Sequence, residues 1–280
     1  MIKRKIMYYR HNLNYEYPSR PDEHMIKVKP IHKVVLDEKY PYLQKGWWWK
    51  LKRAVFWILV NVIVFPLMRL THGLKIYGKE NYKKHKKAFK NGAITISNHV
   101  FMWDYLCVLK AVRPHLSYFP AWKGNLEGSN GPLIRWAGGI PIPTDNMRCM
   151  VKFKQAMDEV MASGKWMHFF PEGSLWFFYP DIRPLKKAVF KYAVRYDKPI
   201  IPITMSFRPR KGLLKLFGKK PAVDLHIGEA LYPDKNLPRG EAEEKLHADA
   251  YHVMQVMNGI HPEDQTYNVD QNPENYQKTM

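Results

Sequence analysis

AITISNHVFMWDYLCVLKAV, residues 93–112, changes its hydrophobic rhythm partway along. Residues 93–97 form a short apolar run of the kind a buried strand needs, and Leu106, Leu109 and Val112 then recur at helical spacing. A strand feeding a helix is the unit from which α/β folds are built. The same alternation continues outward. LSYFP (116–120), IPIP (140–143), KWMHFF (165–170), PIIPITM (199–205) and AVDLHIG (222–228) read as extended segments. Pro132–Ala137 is a short helix stopped by Gly138 and Gly139, and Met150, Phe153, Met157 and Val160 form an apolar helical stripe. A helix follows from Leu185 to Tyr196, and Ala242, Leu246, Ala250, Val253 and Met257 mark a last one that Gly259 ends. The pattern predicts one α/β domain over residues 73–260, followed by a polar tail at 261–280.

The chain has 280 residues, 45 Lys plus Arg against 25 Asp plus Glu, and a net charge of +20. That balance favours a polyanionic partner such as an anionic membrane face, a phosphorylated substrate or nucleic acid. Two cysteines, Cys107 and Cys149, form neither a disulfide framework nor a ligand spacing, and suit a reducing compartment. Residues 1–45 are polar and poorly periodic, an extension compatible with short strands. Residues 46–72 are different. The uncharged stretch Ala54–Met68 is shorter than the ~20 residues that cross a bilayer, and Asn61 and Pro66 interrupt it. Trp47, Trp48 and Trp49, with Lys50, Lys52 and Arg53, supply headgroup anchors, so the segment reads as an interfacial or re-entrant helix. The basic runs at 79–90 and 208–220 fit a membrane-facing rim. They lack the helix-turn-helix, zinc or RNP patterns of a nucleic-acid reader, and no nucleic-acid partner is expected.

Within the opening stretch His99 and Asp104 stand five positions apart, at the strand-to-helix turn. His32 and Asp37 have the same interval but lie in the unpatterned extension. Were 99–104 all helical, the two side chains would point about 140° apart. Contact requires a bend after His99, with Asp104 in the first helical turn, where a carboxylate also suits the dipole. Asp104 could then hold one imidazole nitrogen and leave the other to take a proton from a hydroxyl; the alternative is a helix-starting acid beside a satisfied buried imidazole. A second strand, HFF (168–170), runs into Pro171, Glu172, Gly173 and Ser174.

Together these blocks resemble the PlsC-like glycerolipid acyltransferases, typified by lysophosphatidate acyltransferase. The family's Asn-His-(four residues)-Asp block is matched by Asn98, His99 and Asp104, and its Phe-Pro-Glu-Gly block by Phe170–Gly173 with Ser174. Gly138–Ile142 and Pro199–Thr204 match two further blocks, and Lys123 a lysine that precedes a helix. The resemblance implies a central mixed sheet flanked by helices. It implies transfer of an acyl group from acyl-CoA or acyl carrier protein to a lysophospholipid hydroxyl, at the cytoplasmic face of a membrane, by a peripheral or monotopic protein. His99 would be the base, Asp104 its orienter and Lys123 an oxyanion or acyl-donor contact. Glu172, Gly173 and Ser174 would position the acceptor. No metal or cofactor is implied, since the thioester is already activated. The departures concern the acceptor: Thr144 and Leu175 stand where the family usually has arginines. Arg148, Arg183, Lys186 and Lys187 are the cations that could replace them. The leading acceptor is 1-acylglycerol-3-phosphate, giving phosphatidate. Another lipid hydroxyl, or a non-catalytic basic protein that binds membrane or nucleic acid, stays open. Ser97 and Ser174 lack the Gly-x-Ser-x-Gly elbow of a serine hydrolase.

Overall fold

Ile94 and Ile96 alternate with Thr95 and Ser97, and all four are fully buried, because β2 (Ile94–Ser97) is a central strand covered on both faces. The computed structural model describes residues 13–259 apart from 22, 27 and 86. Residues 1–12 of the extension and the polar tail at 261–280 lie outside the described residues.

Numbered in chain order, the strands lie β1 (Lys75–Tyr77), β7 (Ala222–Ile227), β6 (Ile200–Arg208), β2, β5 (Trp166–Phe169), β3 (Ser117–Trp122) and β4 (Gly139–Ile142). From β6 to β4 all neighbours are parallel, so five strands end on one side of the molecule. β7 returns antiparallel to β6 and carries β1 parallel to itself, which makes the sheet mixed. One face packs against α1 (Trp47–Leu59), α2 (Phe65–Thr71) and α4 (Asp104–Ala111). The other packs against α7 (Met150–Ala162), α8 (Ala188–Arg195) and α9 (Arg239–Asn258). Short helices α3 (Lys79–Lys84), α5 (Lys123–Glu127) and α6 (Gly131–Ala137) lie between the strands.

Three expectations change. The apolar N-terminal segment is not broken at Asn61 and Pro66. It runs as a 25-residue rod, Trp47–Thr71, long and apolar enough to cross a membrane by length and composition. A π-helical turn at Val60–Val64 lies just before Pro66, whose ring opposes the carbonyl four residues back. Arg53 is not a headgroup anchor: it is buried, donates to Ser117 O at 2.9 Å and stacks on Tyr118. Finally, the extension forms no strand among its described residues. It runs as a strap, with the Trp176 indole donating to Glu23 O, Val34 N–H donating to Glu127 Oε1, and Arg135 donating to Pro41 O and Tyr42 O.

Candidate active site

The end of β2 is pinned before the turn begins. Asn98 donates to Met205 O at 2.9 Å and accepts the Met205 N–H at 2.8 Å, extending the β2–β6 ladder by one side chain. The chain then bends, Asp104 N–H closes a turn onto Phe101 O at 3.1 Å, and α4 starts at Asp104. This bend brings His99 Nδ1 to 2.5 Å from Asp104 Oδ2, while Asp104 Oδ1 accepts the Tyr105 N–H. A carboxylate accepts, so Nδ1 donates and the free lone pair lies on Nε2. The Asp104 side chain is 2% exposed and that of His99 21%, which shields the acid and leaves the imidazole reachable. Phe170 stacks on the ring at 3.9 Å and fixes its plane.

Glu172 leaves the neighbouring strand at the same end of the sheet. Gly173, at φ +86°, makes the turn, and its N–H bonds to Phe170 O. Glu172 is buried. Oε2 accepts the backbone N–H of His99 at 3.0 Å and Arg183 Nη2 at 2.7 Å, while Oε1 accepts the Arg183 N–H at 3.0 Å. Arg183 also donates to Ser174 Oγ and Ser174 O, and the Ser174 hydroxyl donates to Pro21 O. The second loop therefore grips the first, and Trp176 N–H to His99 O and Phe178 N–H to Val100 O complete the join.

These contacts redistribute the residues expected at the acceptor. Glu172 and Arg183 are counter-ions within the protein, and Ser174 is buried between Arg183 and the strap. Lys187 is held by both oxygens of Glu244. Lys186 does reach the turn: a Cβ on Gly173 would lie 3.0 Å from its Nζ. Arg148 is exposed in a short 3₁₀ turn (Met147–Cys149) beyond the end of β4. Lys123 opens α5 at the end of β3, its ammonium on Asp145 and 3.5 Å from Glu127, and the Asp145 bond raises its pKa. Ser97 is buried beside His168, so neither serine is an accessible nucleophile. No group of His, Cys, Asp and Glu suited to a metal occurs among the described residues. The stacking of Phe170 and the carbonyl of Pro21 had no signature in the sequence. Phe170 could have been suspected only as an aromatic next to the Pro-Glu-Gly turn.

Residues 73–206 match the family model described as Acyltransferase. Among solved structures, the fold is similar to the 1-acyl-sn-glycerophosphate (LPA) acyltransferase PlsC from Thermotoga maritima. The TM-score is 0.53 at 18% identity, covering 78% of this chain and 85% of that one. No curated protein matches the chain with significance.

Proposed function

We propose a membrane-associated O-acyltransferase that esterifies a lysophospholipid hydroxyl, a reading supported by the match of residues 73–206 to the Acyltransferase family model and by the likeness of the fold to PlsC. The observation that carries this reading is the reachable imidazole, oriented by Asp104 and stacked on Phe170. His99 Nε2 takes the hydroxyl proton as the oxygen attacks the thioester carbonyl. The tetrahedral oxyanion then collapses, the C–S bond breaks, and the imidazolium returns its proton to the departing thiolate. The products are an ester and a thiol. The donor is acyl-CoA or acyl carrier protein, and 1-acylglycerol-3-phosphate is the leading acceptor. Lys186 beside Gly173 and the exposed Arg148 are the cations left to meet a phosphate. Lys123 is the donor-side cation of this scheme, with Asp145 as the partner it would exchange.

Membrane association is supported by the way the Trp47–Thr71 rod is held. Phe56, Trp57, Val60, Phe65 and Met68 bury one side of it in the domain core, while Leu51, Val55, Ile58, Val62 and Leu67 are exposed along the other. A helix attached lengthwise to a folded domain can lie in the interface without drawing that domain through the bilayer. A monotopic placement on the cytoplasmic side, where Cys107 and Cys149 stay free, follows from this reading.

The test incubates the purified protein with an acyl thioester and a panel of lysolipids, with products identified by mass spectrometry. A diacyl product is expected, reduced about 10²–10⁴-fold in His99→Ala. No acylated lipid from any acceptor, or unchanged turnover in His99→Ala, overturns the reading.

A further inference from the structure

Between β6 and β7 the chain leaves the sheet as RPRKGLLKLFGKK (208–220), which has six cations and no acid. Its charge alone fits either a solvated face or a membrane-facing basic rim. The structure adds an apolar part to it. Gly212 and Gly218, both at positive φ, bracket a 3₁₀ turn at Gly212–Phe217 that holds Leu213 and Leu216 each 80% exposed. Leu214 turns the other way, against Gly73 at the end of α2. The excursion is also tied down: Arg210 Nη1 donates to Thr71 O at 2.6 Å and to Leu214 O, and Arg208 donates to Gly73 O. Two leucines are thus presented to solvent from an anchored turn, with exposed Lys211, Lys215 and Lys219 around them.

We propose that this excursion is a second membrane-docking element, which inserts Leu213 and Leu216 into the acyl region of an anionic bilayer while its lysines meet the lipid phosphates. Two placements support that occupant. The turn packs on α2, the part of the Trp47–Thr71 rod that carries the exposed Leu67 and Leu70, so exposed leucines of both elements occur on neighbouring segments. It also follows the end of β6, which is parallel to β2, and therefore lies at the same end of the sheet as His99. Lys220 stands over the Phe178 ring at 5.8 Å, and Phe178 N–H bonds to Val100 O beside the base. Apolar insertion combined with cation–phosphate contact is the chemistry of an interfacial anchor. A nucleic acid would use the lysines and leave the leucines in water. The inference rests on the proposed membrane enzyme and adds where that enzyme touches the lipid.

The full chain is tested by flotation with vesicles of phosphatidylcholine alone and of phosphatidylcholine mixed with phosphatidylglycerol. The L213S/L216S double variant is expected to bind mixed vesicles about ten-fold more weakly or worse. K211Q/K215Q/K219Q is expected to lose the preference for the anionic mixture. As a second measurement, Leu216→Cys carrying an environment-sensitive fluorophore is expected to shift to the blue on adding mixed vesicles; Cys107 and Cys149 are buried and do not compete for the label. Unchanged flotation of L213S/L216S, an unshifted label, or no flotation of the parent protein overturns the proposal. So does an effect of L213S/L216S on self-association alone, which would assign the leucines to a second copy. Acylation of detergent-dispersed lysolipid is measured in parallel: its absence in the parent protein sinks the enzyme reading whatever the flotation result, and its retention in L213S/L216S isolates the docking effect.

Discussion

Glu172 accepts the backbone N–H of His99, so the acid of the second block holds the first block in position. Its other partners belong to Arg183, and both side chains are almost completely buried. Removing one member of such a pair leaves an uncompensated charge in the interior, a loss of about 3–5 kcal/mol. Glu172→Gln is therefore expected to lower the urea-unfolding free energy by roughly that amount. In material that remains folded it should depress kcat more than it raises KM for the lipid, since the base shifts while the acceptor site is untouched. Unaltered unfolding together with a raised KM alone would place Glu172 at the acceptor instead. The residue types at this site were readable in the sequence as a base, an acid and a Pro-Glu-Gly turn. The partner of each was not: Arg183, which looked like an acceptor cation, is the counter-ion of Glu172.

At the scale of elements, β2 and β5 meet through a buried polar seam. Thr95 pairs with His168 across the ladder, and its hydroxyl lies 2.9 Å from His168 Nδ1, with Ser97 on the far nitrogen. Burial, assisted by the nearby His99, pushes the His168 pKa down to about 3 from an ordinary 6.5. Between those values the unfolded chain takes up a proton that the folded chain refuses. Stability from this group is thus complete above about pH 6.5 and lost as the pH falls toward 3, at up to ~1.4 kcal/mol per pH unit. Thermal unfolding of the parent protein and of His168→Gln is expected to diverge across that window, the variant showing the shallower dependence. Parallel curves would remove His168 from the account. Element positions were legible wherever one period dominated, as in the stripe that becomes α7. The helix expected from Leu185 starts at Ala188, and the Lys186 N–H just before it bonds to Pro171 O, a contact made in the tertiary structure.

Across the whole molecule, the strap joins parts that are distant in sequence. Tyr17 OH donates to Phe177 O, Ser174 Oγ to Pro21 O and the Trp176 indole to Glu23 O, over separations of more than 150 residues. His24 stacks on Trp122, beside Lys123. Deleting residues 1–25 leaves Ser174 and Trp176 without these acceptors. At about 1 kcal/mol per bond, a fall in Tm on the order of 5–10 °C is expected by calorimetry. An unchanged Tm would mean that the strap contributes nothing to the second loop. The alternation of strand and helix, the bend that a contact between His99 and Asp104 requires, and the apolar character of residues 54–68 could be read along the chain, because a period of 2 or 3.6, a turn and an uncharged run are local properties; that the run continues unbroken as a rod could not. The pairing of Glu172 with Arg183, the burial of Arg53, the course of the strap and the outward leucines of the 208–220 turn could not. Each depends on which surfaces meet when the sheet closes, and no nearest-neighbour rule carries that information.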